Sequence, residues 1–217
     1  MTEVEKTDIS RPEVMRVILE ISKKLAKDKV GALFILSDRA KLRGNFVQHY
    51  PQIKFTGSLL DKGMDAVIEK LASLDGAVIL TQEGELVAYG SRVLKSETML
   101  GFGTRHAAAK GFTSYDQAAT AVLVSEESGW IKVFQKGNIV LETDSVDIEP
   151  STLEKVASFL MNHDTALLVG AGISVATLSV PATAVLIVGG TYMVVKNAFT
   201  MISAALKREH PASREKK

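Results

Sequence analysis

From Thr165 to Val195 the chain carries no charged residue, and no other feature constrains its fold as strongly. A run of that length exceeds the ~20 residues that a helix needs to cross a bilayer. Pro181 divides it, so the run reads as two helices, Leu167 to Val180 and Ala184 to Leu206. Gly170, Gly172, Gly189 and Gly190, set among Ala, Ser and Thr, suit close helix packing in a membrane. Two readings stand side by side. One is a membrane hairpin that returns the basic tail, Lys207 to Lys217, to the side of the N-terminal domain, as the positive-inside tendency favours. The other is a pair of apolar helices buried in a soluble oligomer. Residues before 165 mix charged and apolar positions as a soluble domain does. The expected division is a domain over 1–149, a connecting helix over 150–164, the apolar hairpin over 165–206 and a basic tail over 207–217.

Composition narrows the function classes. A formal net charge of +1 over 217 residues gives no global field for a polyanion, and no nucleic acid is expected as a partner. The absence of cysteine excludes disulfides, thiolate metal sites and cysteine nucleophiles. Met1 to Asp8 is polar and mixed in charge. It lacks the apolar core of a signal peptide, so the N-terminal domain is expected in the cytoplasm.

The order of elements points to a mixed α/β domain. Ser10-Arg11-Pro12-Glu13 reads as a helix start with proline in the first turn, and Val14, Val17, Ile18, Ile21 and Leu25 continue at helical spacing. Val30 to Leu36 is a continuous apolar run, as in a strand covered on both faces. Asp38 to Gly57 is polar and irregular. Ser58 to Leu74 is amphipathic, and a buried strand follows Asp75-Gly76. A hairpin across Gln82 to Glu85 leads to Leu86–Tyr89. A helix is expected from about Thr104 to Lys110, then a strand over 119–124 and a second hairpin across Lys136-Gly137. Three helices and six strands, with hairpins crowding the second half, argue a mixed central sheet flanked by helices.

Three stretches carry candidate chemistry. Gly103-Thr104-Arg105-His106 opens a helix, with Thr104 as the expected cap. Free N–H groups, the positive helix end and an arginine in one place suit a phosphate. Asp75-Gly76-Ala77 sets a carboxylate, able to bind a metal or accept a proton, beside a glycine that lets a ligand approach the backbone. Ser125-Glu126-Glu127-Ser128-Gly129 is a turn rich in oxygen ligands. Together they contain what phosphoryl transfer needs: carboxylates, donors for phosphates and ligands for a divalent ion.

Their order resembles the diadenylate cyclase domain over roughly Ser10 to Leu141. Val30-Gly31-Ala32-Leu33-Phe34-Ile35 is similar to that family's first core strand. Asp75-Gly76-Ala77, Gly103-Thr104-Arg105-His106 and Val124-Ser125-Glu126-Glu127-Ser128-Gly129 match its later motifs in order. The resemblance implies condensation of two ATP molecules to cyclic di-AMP and two pyrophosphates, with self-association of two domains face to face and a divalent metal, Mn²⁺ or Mg²⁺. It implies Asp75, Arg105 and His106 as catalytic residues. Leu74, Gly76, Ala77, Leu94, Gly103, Thr104, Arg105 and Ser125 would bind the nucleotide, and Asp75, His106 and Glu126 the metal. An ATP-using domain would be cytoplasmic, with membrane association only through 165–206. Ala107 departs from the pattern, standing where the family usually carries a second arginine. That departure keeps a second reading open, a catalytically weak or dead nucleotide sensor signalling through its C-terminal segment.

Overall fold

The computed structural model describes residues 3–53, 57–143, 156–158, 160–161, 174–176, 183–188 and 191–196. Helix α1 spans Glu3–Lys27 and buries the stripe Val14, Ile18, Ile21 and Leu25 that its spacing foretells. Pro12 lies inside this helix, not in its first turn; the one N–H that proline forfeits does not stop the turns on either side. Strand β1 (Ala32–Ser37) is buried along its whole length. The stretch expected to be irregular contains the short helix α2 (Arg39–Leu42) and the edge strand β2 (Phe46–Gln48). Neither is long enough to show a period in sequence. Helix α3 (Met64–Ala72) starts only after Gly63, whose φ of 84° is left-handed, which shortens the helix expected from Ser58.

The sheet continues with β3 (Ala77–Thr81), β4 (Leu86–Val93), β5 (Thr120–Val124), β6 (Ile131–Gln135) and β7 (Asn138–Thr143); helix α4 (Thr104–Tyr115) lies between β4 and β5. Strands run in the order β2-β4-β3-β1-β5-β6-β7. Among these seven, β1 and β3 pair in parallel and the other neighbours are antiparallel. The mixed sheet flanked by helices is therefore the observed architecture.

Two apolar layers sandwich this sheet. On one face Ala32, Phe34 and Leu36 of β1 join Met15, Ile18 and Ile68 from α1 and α3. On the other, Leu33 and Ile35 meet Ala109 and Phe112 of α4. This alternation at period two is what seats α4 across the middle of the sheet. The helical residues 156–158 and 160–161 place Val156, Ala157 and Leu160 in the first layer.

The C-terminal run differs from its sequence reading wherever it is described. Strands β8 (Ser174–Ala176), β9 (Thr183–Val188) and β10 (Thr191–Lys196) occupy segments expected to be helical. Strand β10 joins β7 antiparallel, and the sheet continues β10-β9-β8. The helical expectation is corrected there, and the composition explains why. Thr183, Val185, Ile187, Val188, Thr191, Val194 and Val195 are β-branched and favour extended backbone. Val188 pairs with Thr191 across the antiparallel β9–β10 register. Among the described residues no helix is long and apolar enough to cross a membrane. The rest of 165–206 and the tail 207–217 lie outside the described residues.

Candidate active site

Helix α4 is the element on which the site is built. Its N-cap is Gly103, extended at φ −79° and ψ −178°, and Thr104 is the first helical residue, with no side-chain cap. This corrects the expectation that Thr104 caps the helix. The amides of His106 and Ala107 bond back to the Gly103 carbonyl, leaving those of Thr104 and Arg105 at the helix end without an intrahelical acceptor.

Arg105 draws the distant motifs together. Its Nη1 donates to Glu126 Oε2 at 3.4 Å, and its Nη2 lies 3.9 Å from Asp75 Oδ1. Both carboxylates are well exposed, at 83% for the Asp75 side chain and 66% for Glu126. Asp75 stands at the start of β3 and Glu126 just past the end of β5. The two strands flank β1, so the convergence follows from strand order.

His106, the next residue, turns away from this trio. Its ring packs tilted by 38° at 4.6 Å on Phe102 and meets Phe134 edge-on at 6.2 Å. Its Nε2 is buried without a hydrogen-bond partner. Burial holds the imidazole below its ordinary pKa of 6.5, the Lys132 ammonium pushes the same way, and Glu142 opposes.

Two depressions flank Arg105. A cleft of about 400 Å³ is lined by Asp75, Gly76, Ala77, Leu94, Thr104 and Arg105 together with His49, Ser91 and Arg92. A wider one of about 760 Å³ is lined by Gly103, Thr104, Arg105, His106, Ser125, Glu126 and Lys132. Leu74 is not in either lining; it packs against the α1 and α3 layer. Gly76 borders the cleft, but its φ is +109°, and an added Cβ would sit 2.6 Å from the backbone at Gly90 and Ser91. Its missing side chain is needed for the close approach of the chain entering β3 to the β4 backbone, a different reason from ligand approach. Ser125 is tied into its own turn, its amide on Trp130 and its hydroxyl accepting from Ser128 N–H at 3.4 Å.

Sequence reasoning missed His49, Arg92 and Lys132. His49 and Arg92 lie in or beside a short edge pairing, where no pattern marks them. Lys132 is largely buried, opposite Glu142 on β7 at 2.9 Å, and 4.8 Å from the Phe102 ring centroid. A lysine in a strand reads as solvated, and only the pairing shows otherwise.

The residues fit a divalent ion only in part. Among the described residues no three His, Asp or Glu groups converge as a ligand set. Asp75 and Glu126 share Arg105, while His106 faces the aromatic pair, so the expected trio is not brought together. An exposed carboxylate such as Asp75 does fit Mg²⁺ or Mn²⁺ carried in by a nucleotide, because such ions take one or two carboxylates and complete their shell with phosphates and water.

Comparison with known proteins decides the family. The model of the DAC family, described as DisA bacterial checkpoint controller nucleotide-binding, matches residues 20–139, more than half of the chain. The chain belongs to the DAC family. A protein named diadenylate cyclase from Methanocaldococcus jannaschii is 33% identical over 149 residues, covering 64% of this chain and 47% of the relative. One of the same name from Haloferax volcanii is 32% identical over 139 residues, covering 61% and 51%. This chain thus spans about half the length of the curated relatives it matches. Among solved structures, a hypothetical membrane spanning protein from Bacillus cereus shares 23% identity at a TM-score of 0.46, covering 56% of this chain and 59% of that one. DacA from Staphylococcus aureus, solved as a double cysteine mutant, shares 21% at 0.45, covering 69% and 95%. The DAC match contains Asp75, Arg105, His106 and Glu126.

Proposed function

We propose that this chain is a diadenylate cyclase that condenses two ATP molecules into cyclic di-AMP and two pyrophosphates. The observation that carries the reading is Arg105, which meets Asp75 and Glu126 at a helix N-terminus although the three come from separate motifs. Two depressions opening on the same arginine suit a nucleoside on one side and a polyphosphate on the other. In each half-reaction a ribose 3′-oxygen bonds to the α-phosphorus of the other ATP, the bond from that phosphorus to the bridging oxygen breaks, and pyrophosphate departs. Asp75 takes the 3′-hydroxyl proton on its carboxylate. Arg105 and the Thr104 and Arg105 amides hold the phosphate oxygens, where fixed donors lower the cost of growing charge. A divalent ion, held by Asp75 and the phosphates, would neutralise the triphosphate and polarise the reacting centre.

Charge at the trio supports that ion. Arg105 offers one positive charge against the two of Asp75 and Glu126, leaving these three net negative, although Arg92 and Lys132 also line the adjoining depressions. Two active sites must also face each other, because each ATP attacks the other, so self-association belongs to the proposal. A role for 165–206 as membrane anchor or oligomerisation segment is the corresponding expectation for the C-terminal part.

The test is incubation of the purified chain with ATP and Mn²⁺ or Mg²⁺ across a range of protein concentrations. Cyclic di-AMP, formed at a rate rising faster than linearly with protein, is expected. ATP binding without product at any concentration would instead favour a nucleotide sensor, the reading that Ala107 supports by carrying no charge in the cleft that Arg92 and Arg105 also line.

A further inference from the structure

We infer that Gly31 is a positioning residue: the absence of its side chain is the notch into which the Arg105 guanidinium lies on its way to Glu126 and Asp75. Strand alternation sets the direction. Leu33 and Ile35 of β1 face α4, so position 31, two residues earlier, faces the same way. Antiparallel register sets Ala32 against Val124, and one step further brings Gly31 beside Ser125, at the turn that bears Glu126. The first turn of α4 crosses just above.

Geometry agrees. An added Cβ at Gly31 would lie 3.0 Å from Glu126 Cβ and 3.2 Å from Glu126 Oε2, and would collide with Arg105 Nη1. Gly31 is buried, and its φ is outside the left-handed range. Backbone conformation therefore does not demand glycine here; space for the arginine does. The closest clash is with the far end of the flexible Arg105 side chain, and the 3.0 Å approach to Glu126 Cβ asks that residue to give by only a few tenths of an ångström, so an alanine would be accommodated chiefly by moving Arg105 and would leave the strand in place. The small residue before β1 thereby sets where the cation of the site stands. The notch itself is independent of the proposed function; its consequence for nucleotide handling rests on that function.

The experiment is a cycle of Gly31→Ala, Arg105→Lys and the double variant, read in two ways. The first readout needs no nucleotide. In ¹⁵N–¹H spectra the Arg105 Nε–H signal, identified by its loss in Arg105→Lys, should shift in Gly31→Ala while amides of β6 and β7 stay in place. The second is affinity for a non-hydrolysable ATP analogue with Mg²⁺. Gly31→Ala should weaken it about tenfold, and on the Arg105→Lys background the same change should cost less than twofold, because the side chain it displaces is already altered. An unshifted Arg105 signal, or an equal loss on both backgrounds, overturns the inference. If the parent chain binds no analogue while the Arg105 signal still shifts, the notch stands and the proposed function falls.

Discussion

Arg105 and His106 are neighbours in one motif, yet they face opposite environments. Arg105 lies between two exposed carboxylates at the meeting of two depressions. His106, about 100° further round the helix, packs between Phe102 and Phe134 with a buried, unpartnered Nε2. The same four letters thus contain a charged group between two carboxylates and a half-buried ring held by two aromatic side chains. A motif read as one unit hides this, because sequence adjacency on a helix separates directions.

Mutation can separate the two sides. The largest effect is expected on the open one. Asp75→Asn should lower the rate of cyclic di-AMP formation by ~10²–10⁴-fold, the usual worth of a positioned proton acceptor. Its thermal midpoint should stay near the parent's, since an exposed carboxylate supports little of the fold; an unchanged rate would remove Asp75 from the mechanism. Arg105→Ala should cost ~2–4 kcal/mol of transition-state stabilisation, the range for losing a charged donor, measured as kcat/KM. Glu126→Gln keeps the shape and removes the charge that fixes the arginine. A loss of about tenfold, ~1.4 kcal/mol, is expected, at the low end for a hydrogen bond to a charged group because Glu126 is exposed.

On the packed side the signature is in stability against pH. The folded-state pKa of His106 is lowered, chiefly by burial. Its contribution to stability is therefore fully present above the ordinary value of 6.5 and is lost as pH falls through the lowered folded value. Thermal midpoints measured from about pH 8 to about pH 5, a span that brackets an ordinary histidine, should drop more steeply in the parent than in His106→Asn. Parallel slopes would mean that the imidazole is not the group responsible. The smallest effect is expected from Ala107→Arg, under about threefold in kcat/KM for an enzyme already complete. A gain of about tenfold or more would move the reading towards a sensor that lacks one cation.

Legibility followed the strength of local patterns. Strands β1, β3 and β5 are continuous apolar runs covered on both faces, and such runs announce themselves. The β6–β7 hairpin was marked by Lys136-Gly137, both left-handed in the structure. Strand β2 and helix α2 were not visible, because three or four residues at a sheet edge hold no period. The C-terminal strands were misread for a different reason. An uncharged run has no polar face, so helical and strand periods look alike, and the β-branched content was the better guide.

What the sequence alone determined is the chemistry of the parts: a carboxylate before a buried strand, a glycine and an arginine at a helix start, and acids in a turn after a strand, in an order that the DAC family shares. What only the tertiary structure decided is which of those parts meet. Strand order β3-β1-β5 brings Asp75 and Glu126 to either side of one arginine, helix rotation turns the His106 ring onto Phe102 and Phe134, and Gly31 leaves the space that Arg105 fills. Side-chain direction and contact across distant strands depend on packing, and no local run of residues encodes that.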